Sequence, residues 1–224
     1  MTEKKQETFD KKVPESVAIV AMGLSHADYV LACAIAGSRR EIADETWAIN
    51  YMTGVIQFDR AFIMDDLIRN PDPAPGTAHM RSLLNIHGKP IYTSTAYPKE
   101  YPTSVEYPLE DVLNCIGMPY LNGTVAYAVA YAILLGVKHI KLYGCDYTYS
   151  NRPDVMEKGR GCVETMAAIA KERGISVEVA RNSSLFDANV PVNNKFYGYY
   201  VPIKIEATEE GKFKVIREKE DASS

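Results

Sequence analysis

The sequence predicts an α/β protein built on an open, mostly parallel, Rossmann-like sheet with helices on both faces and a small C-terminal β-hairpin. Three observations lead to this fold class. Continuous apolar runs of strand length recur along the chain, helical segments alternate with them, and small or polar residues follow the runs. Apolar runs without alternation are typical of parallel strands buried on both faces. Strands that alternate with helices are typical of a parallel α/β sheet.

The first half of the chain contains three predicted strands and one clear helix. Ser16–Met22, "SVAIVAM", is the first strand, and it breaks at Gly23. The helix "HADYVLACAIAG" follows and ends at Gly37, because glycine is a common helix stop. Glu45–Asn50 and Arg60–Asp66 are the next two strands, and each ends in polar residues.

The second half continues this alternation and ends in a segment of different character. A Pro-rich loop at Asn70–Gly76 precedes a helix at His79–His87, and Gly174 ends the last long helix. The other predicted elements, in chain order, are strands in "KPIYTST" and "VEYP", helices in "LEDVLNCIG" and Thr124–Leu135, a strand at Lys138–Tyr143, a helix in "EKGRGCVETMAAIAKERG" and a strand in "ISVEVA".

The predicted organisation is one folded domain with short additions at both ends. Residues 1–14 are charged and poor in apolar side chains, which is typical of a flexible arm. Residues 15–190 form the α/β domain, 191–216 form a hairpin that turns at Glu210-Gly211, and 217–224 form a disordered tail.

Composition excludes several classes of protein. The net charge of −4 argues against a protein that holds nucleic acid through a general positive field. The longest apolar run, "VAYAVAYAILLGV", falls short of the roughly 20 residues that span a bilayer. The four cysteines are scattered without metal-binding spacing, and the sequence opens without a signal peptide. We therefore expect reduced thiols and a cytoplasmic location.

Small and polar residues cluster at the predicted carboxyl ends of the strands, where open α/β sheets bind ligands. Any one of them is also typical of an ordinary turn. Together they predict a polar pocket. The strand-end residues are Gly23-Leu24-Ser25, Asn50, Asp65-Asp66, Thr93-Ser94, Gly144-Cys145-Asp146-Tyr147 and Asn182-Ser183-Ser184.

Familiar nucleotide and hydrolase motifs are absent from the sequence. It contains no complete Gly-x-Gly-x-x-Gly, no Gly-x-x-x-x-Gly-Lys-[Ser/Thr] and no Gly-x-Ser-x-Gly. A dinucleotide fold of the usual type, a P-loop nucleoside triphosphatase and an α/β-hydrolase are therefore not indicated.

Two helix starts are candidate anion sites. Ser25 precedes the first helix, whose N-terminal amides favour an anion such as phosphate, and an ordinary N-cap explains it equally well. Thr124 follows Asn122-Gly123, which suits a backbone held close to a ligand. A capping hydroxyl and free amides at Thr124 would hold a phosphate or the edge of a base.

The end of the strand before residue 144 completes the predicted nucleotide site. Gly144 has no side chain that would block a ligand, and Asp146 provides an acceptor for ribose hydroxyls or an exocyclic amine. Tyr147 and Tyr149 offer aromatic faces or hydroxyls beside the same ligand.

Five segments, taken in order, carry a resemblance to a known group of proteins. They are "VAIVAMGLS", "WAIN", "FIMDD", "NGTVAYAVAYAILLGVKHIKLYGCDY" and "ARNSSLF". The chain resembles the bacterial lipo-oligosaccharide sialyltransferases and the wider group with motility-accessory-factor glycosyltransferases and pterin pyrophosphokinase-like proteins. The resemblance implies a CMP-sugar donor, catalysis without a metal ion, and no further cofactor.

The resemblance also implies roles for individual residues. Asp65 stands where the family has an Asn at the end of the third strand. The matching positions are Gly23 and Ser25 in the turn near the donor phosphate, Asn50 as a nucleotide contact, Thr124 at the start of the long helix, and Gly144 and Asp146 in the Gly-x-Asp of the next strand end.

The catalytic base is where the sequence departs from the family. Glu157 stands near the position of the family's catalytic histidine, and no histidine follows His139. A carboxylate can act as a general base, so Glu157 and His26 are the candidates. The other explanation, which we prefer for Glu157, is a solvated glutamate at a helix start that is favoured by the helix dipole. The segment before it, Thr148–Met156, is short for a lid, which leaves the donor sugar open.

Three functions remain open at this point. The first is a glycosyltransferase that moves a sugar from a nucleotide sugar to an acceptor hydroxyl on a glycan or a hydroxylated nucleobase. The second is a pyrophosphokinase-like transferase that binds ATP and Mg²⁺ through Asp65 and Asp66. The third is a nucleotide-binding module without catalysis. The Tyr-rich segment near Tyr197–Val201 could cover the pocket or pair with a second subunit in a homodimer.

Overall fold

A computed structural model of the chain describes residues 13–68, 75–148, 153–197, 203–209 and 212–217. It confirms the predicted α/β fold class, with a seven-stranded, all-parallel sheet between helices and a separate two-stranded antiparallel hairpin within these ranges. The strands are β1 Ser16–Val20, β2 Glu45–Ile49, β3 Arg60–Phe62, β4 Ile91–Thr93, β5 Ser104–Glu106, β6 His139–Tyr143, β7 Ser176–Val179, and the hairpin strands β8 Ile203–Ala207 and β9 Phe213–Arg217. The α-helices are α1 His26–Ala36, α2 Pro75–His87, α3 Leu109–Ile116, α4 Thr124–Leu135 and α5 Pro153–Glu172.

The order of strands in the sheet places a crevice beside β1. The order is β5-β4-β3-β2-β1-β6-β7, so the chain builds outwards from β1 to β5 and then returns to the other side of β1. Ile19 of β1 pairs with Trp47 of β2 on one side and with Leu142 of β6 on the other. The reversal of direction therefore falls between β1 and β6. Ligands bind at the carboxyl ends of the strands at such a reversal.

The apolar strands are covered on both faces, and α4 is the best buried of the helices. Eight of its twelve residues are buried, which explains why its sequence is apolar all round rather than on one stripe. On its face of the sheet, the Phe62 and Tyr92 rings stack at 5.0 Å, and the Tyr92 and Tyr131 hydroxyls are 2.8 Å apart. A second cluster, which includes Tyr29, Met52 and Leu84, fills the opposite face.

Two helices begin earlier than the sequence predicts. Helix α2 starts at Pro75 instead of His79, and α5 starts at Pro153 instead of near Lys158. Proline suits the first position of a helix because its φ angle is already helical and its missing N–H would have no partner there. As a result, Glu157 lies inside α5 and not at its start.

Several predictions concern residues outside the described ranges. Residues 1–12 of the predicted arm, residues 218–224 of the predicted tail and the hairpin turn at Glu210-Gly211 lie outside them, as does Tyr149. The assignment of these segments as flexible or disordered stays a prediction. Of the helices in the described part of the chain, none has the length and apolar character needed to cross a membrane.

Candidate functional site

A cavity of about 530 Å³ lies at the carboxyl edge of the sheet, beside the ends of β1, β2 and β6. Small-molecule sites in proteins typically enclose roughly 300–1,000 Å³, so its size suits a ligand such as a nucleotide. Its walls are the segments after β1 (Ala21, Met22), around the end of β2 (Ile49, Asn50, Tyr51), after β3 (Asp65), at the start of α4 (Gly123, Thr124, Val125) and after β6 (Gly144, Cys145, Tyr147).

The start of α4 forms one wall of the cavity. Gly123 is the N-cap residue, with φ of 115°, and it supplies no side-chain cap. Thr124 is the first helical residue, so the predicted capping hydroxyl is not seen there. The first-turn amides of a helix carry partial positive charge and bind anions. This wall can therefore hold a phosphate.

Asn50 contributes a polar atom that lacks a partner within the protein. Its backbone has φ of 49°, a left-handed conformation that asparagine tolerates better than most residues. Its Oδ1 atom is buried and accepts no hydrogen bond from any residue that the structure describes. A buried, unpaired acceptor costs about 1–3 kcal/mol. An unpaired buried polar atom calls for an explanation, and because Asn50 also lines the cavity, a ligand is a candidate partner for Oδ1.

Ser25 and Asp146, both predicted to contact a nucleotide, contact each other. The Ser25 N–H donates to Oδ2 of Asp146 at 2.7 Å, and the Ser25 hydroxyl donates to Oδ1 of the same carboxylate. The hydroxyl also accepts a hydrogen bond from the Gly144 N–H at 2.9 Å. Ser25 occupies the N-cap position of α1 but makes no side-chain cap. The pair therefore joins the segments after β1 and β6, and its direct contact with a nucleotide stays a prediction.

Two glycines allow these segments to approach closely. The Gly23 N–H donates to the Gly144 carbonyl at 2.7 Å. A Cβ atom at Gly144 would lie 1.9 Å from the carbonyl oxygen of Ala21, and one at Gly23 would lie 2.6 Å from Oδ2 of Asp146. Neither position has room for a side chain. The glycines thus shape one edge of the cavity through the backbone.

Tyr147 connects the cavity to α5. It lines the cavity and has φ of 49°. Its ring lies against Gly159, because a Cβ atom at that glycine would be only 2.3 Å from Cε1 of the ring. Its hydroxyl lies near the start of α4, 3.6 Å from where a Cβ of Gly123 would be. Gly159 was not predicted to matter, although a glycine inside a helix is a signal of close packing.

The two predicted catalytic residues are not among the described residues that line the cavity, although His26 Cβ lies 3.1 Å from where a Cβ of Gly144 would be. His26 is half-buried, and its Nδ1 lies 2.8 Å from the Gly23 carbonyl oxygen. Because a carbonyl only accepts, Nδ1 is the donor in this hydrogen bond. Glu157 is exposed on α5. Their roles as general bases stay predictions.

Asp65 and Asp66 have different surroundings. Asp65 is exposed and lines the cavity. The Asp66 carboxylate instead accepts the one proton of the Tyr97 hydroxyl, which lies 2.7 and 2.8 Å from its two oxygens, and a hydrogen bond from the Ile68 N–H at 2.9 Å. Across the described ranges, no group of three or more His, Cys, Asp or Glu side chains is arranged to hold a metal ion.

The cavity lining also includes a cysteine, five residues predicted to bind the nucleotide and three residues that the sequence did not predict. Burial raises the pKa of the Cys145 thiol, which makes it a poor nucleophile near neutral pH. Asn122 is exposed, its N–H donates to Sγ of Cys162 at 3.2 Å, and it is not among the described residues that line the cavity. Of the predicted nucleotide residues, the cavity brings together Asn50, Asp65, Thr124, Gly144 and Tyr147. Met22, Tyr51 and Val125 were not predicted, because apolar and aromatic residues beside strands also read as core.

Comparison of the chain with protein-family models, with curated proteins and with solved structures gave no match. The fold class therefore comes from the structure, and the resemblance to the sialyltransferase group rests on the sequence segments that carry it.

Proposed function

We propose that this protein is a glycosyltransferase whose nucleotide-sugar donor binds in the cavity at the carboxyl edge of the sheet. The observation that carries the proposal is a cavity lined both by Asn50, whose buried Oδ1 has no partner among the described residues, and by the start of α4, which has no side-chain cap. One feature requires a hydrogen-bond donor and the other favours an anion. A nucleoside phosphate carries both groups in one molecule.

The proposed arrangement follows from these two features. The donor phosphates contact the first-turn amides of α4 at Thr124 and Val125, and a hydroxyl or amine of the nucleoside donates to Oδ1 of Asn50. The Tyr147 side chain, held between Gly159 and the start of α4, borders the same ligand. The resemblance to CMP-sugar enzymes makes a cytidine nucleotide the first donor to test.

The same arrangement would assist sugar transfer. When the bond between the anomeric carbon and the phosphate oxygen breaks, negative charge develops on the departing phosphate. Amides that already point to that position stabilise the charge without reorganisation. The sugar is then transferred to an acceptor hydroxyl, for which a glycan and a hydroxylated nucleobase are the two classes to test.

Thermal-shift measurements with CMP, UDP, GDP and ADP, and with CMP-sialic acid, test the donor site. We expect at least one of these ligands to raise the melting temperature in the presence of EDTA. Stabilisation that requires Mg²⁺ and is lost in Asp65→Ala would instead indicate the pyrophosphokinase-like alternative. Absence of stabilisation by every nucleotide and nucleotide sugar would overturn the proposal.

Asn50→Gly is the matched variant for this test. Glycine keeps the backbone at φ of 49° without strain and removes only the amide side chain. We expect the free protein to melt at the same temperature or higher, because an unpaired buried acceptor is removed. Nucleotide affinity should fall about tenfold, as expected for one lost hydrogen bond. Unchanged affinity in this variant would show that the ligand does not contact Asn50.

A further inference from the structure

We infer that Asp65 is the catalytic base that removes the proton from the acceptor hydroxyl, an inference that rests on the glycosyltransferase function proposed above. Among the described residues that line the cavity, Asp65 is the one carboxylate, and none is a histidine. A base must reach the proton it removes, so position in the cavity is the first requirement.

The other ionisable side chains in the cavity wall are poor bases. They are Tyr51, Cys145 and Tyr147. A tyrosine phenol in water keeps its proton up to a pH of about 10. Burial shifts the pKa of Cys145 further upward from its ordinary value, so its thiol also stays protonated. Asp65 is the remaining ionisable side chain in the described part of the wall, and a carboxylate can act as a general base.

The surroundings of Asp65 differ from those of the neighbouring carboxylate, Asp66. The Tyr97 hydroxyl donates its one proton to the Asp66 carboxylate, so Asp66 holds two segments of the chain together. Asp65 is exposed at the cavity and reaches solvent, from which an acceptor would enter. His26 and Glu157, the candidates from the sequence, are not among the described residues of this wall.

The step is a single displacement in which atoms and charges balance. The acceptor hydroxyl gives its proton to the Asp65 carboxylate, and its oxygen forms a bond to the anomeric carbon of the donor sugar. The bond from that carbon to the phosphate oxygen breaks, and its electron pair leaves with the nucleotide, next to the amides of α4. Asp65 then releases the proton to water.

Hydrolysis of nucleotide sugars by the full chain tests this role with water as the acceptor. The substrates are CMP-sialic acid, UDP-glucose and GDP-mannose, and the released nucleotide is measured. The variants are Asp65→Asn, Asp65→Glu and, as a surface control, Asp111→Asn at an exposed site on α3. Melting temperatures establish that each variant is folded, and titration with the free nucleotide gives its Kd.

For Asp65→Asn we expect kcat to fall about 100-fold or more, because general-base catalysis typically contributes 10²–10⁴-fold. The nucleotide Kd should stay within about threefold, since asparagine keeps the shape of the side chain. Asp65→Glu should recover part of the rate, because it restores a carboxylate at this position. Asp111→Asn should match the natural protein.

Failure of the proposed role of Asp65 and failure of the proposed glycosyltransferase function would give different results. Turnover by the natural protein that Asp65→Asn retains would overturn the role of Asp65 alone. A large loss of nucleotide affinity with unchanged kcat would show that Asp65 binds the donor and is not the base. Absence of both nucleotide binding and turnover in the natural protein would overturn the proposed function, and the base with it.

Discussion

Ser25 and Asp146, which are 121 residues apart in the chain, are joined by two hydrogen bonds, one of them from the Ser25 N–H to Oδ2 of Asp146 at 2.7 Å. Both residues are almost fully buried, with 2% and 3% exposure. The Ser25 hydroxyl also accepts a hydrogen bond from the Gly144 N–H. One serine therefore fixes the spacing between the segments that follow β1 and β6, and hence the width of this edge of the cavity.

Ser25→Ala should destabilise the protein by about 2–4 kcal/mol, because it leaves both a buried carboxylate oxygen and the Gly144 N–H without their partner. Urea unfolding measures the change. Ser176→Ala, at an exposed serine in β7, is the control and should change stability by less than about 0.5 kcal/mol. Equal effects of the two substitutions would show that the Ser25–Asp146 contact contributes little to folding.

Gly144→Ala should be far more damaging than alanine at a glycine with the same backbone conformation. Gly144 has φ of 66°, and its added Cβ would lie 1.9 Å from the Ala21 carbonyl oxygen. Gly136 has φ of 71°, but no atom of the described residues lies within 4 Å of its added Cβ. Gly136→Ala should therefore cost only the backbone strain, about 1–2 kcal/mol, whereas Gly144→Ala should prevent folding or cost more than about 4 kcal/mol.

Circular dichroism and thermal melting of the two variants separate close approach from backbone strain. Similar melting temperatures for Gly144→Ala and Gly136→Ala would contradict the close contact between the segments after β1 and β6.

Most of the fold could be predicted because its strands are buried on both faces. A strand such as Ser16–Val20 must then be apolar at almost every position, which gives a signal that turns and surface helices lack. The starts of α2 and α5 were placed too late because the sequence at Pro75 and Pro153 reads as loop. Proline is common in loops and also at the first position of a helix. Both prolines occupy that first position here.

The candidate site was predictable in outline only. Asn50 ends a predicted strand, and Thr124 begins a helix between two predicted strands. Both positions predict a place at the carboxyl edge of the sheet. The contact of Ser25 with Asp146 could not, because it depends on β6 lying next to β1, and adjacency of distant strands is a property of the whole sheet. The same holds for Gly159, whose importance depends on the Tyr147 ring packed against it.

Two glycines of α5, Gly159 and Gly161, provide a matched pair of substitutions that tests whether the position of the Tyr147 ring matters. Gly161→Ala should stabilise the protein by up to about 1 kcal/mol, because alanine favours the helix and its Cβ would meet only the Tyr120 hydroxyl, at 3.7 Å. Gly159→Ala should lose this gain and weaken nucleotide binding, because its Cβ would lie 2.3 Å from Cε1 of Tyr147 and displace the ring.

Melting temperature and nucleotide titration, measured on both α5 variants, distinguish the two positions. If Gly159→Ala bound nucleotide as tightly as Gly161→Ala, the position of the Tyr147 ring would be irrelevant to the ligand.

The Asp59 carboxylate should make stability depend on pH in the acid range. Burial by itself raises its pKa, but hydrogen bonds from the Arg39 side chain, the Thr46 N–H and the Arg40 side chain outweigh burial and lower the pKa from 3.8 to about 2. Because the folded value is the lower one, the contribution is fully present above the ordinary pKa. It is lost as the pH falls from about 4 towards about 2.

The lost contribution should be up to about 2 kcal/mol, as measured by urea unfolding at several pH values. Asp59→Asn should be less stable at neutral pH, and its stability should fall less than that of the natural protein over this interval. An unchanged acid dependence in Asp59→Asn would show that the carboxylate does not titrate as its ion pairs require.

A crystal of the full chain soaked with a mixture of CMP, UDP, GDP and ADP is the decisive test of the nucleotide site. We expect electron density for one nucleotide in the cavity, with its phosphate at the N–H groups of Thr124 and Val125 and a donor group within hydrogen-bond distance of Oδ1 of Asn50. A nucleotide bound elsewhere on the protein, with that cavity still empty, would contradict the proposed site.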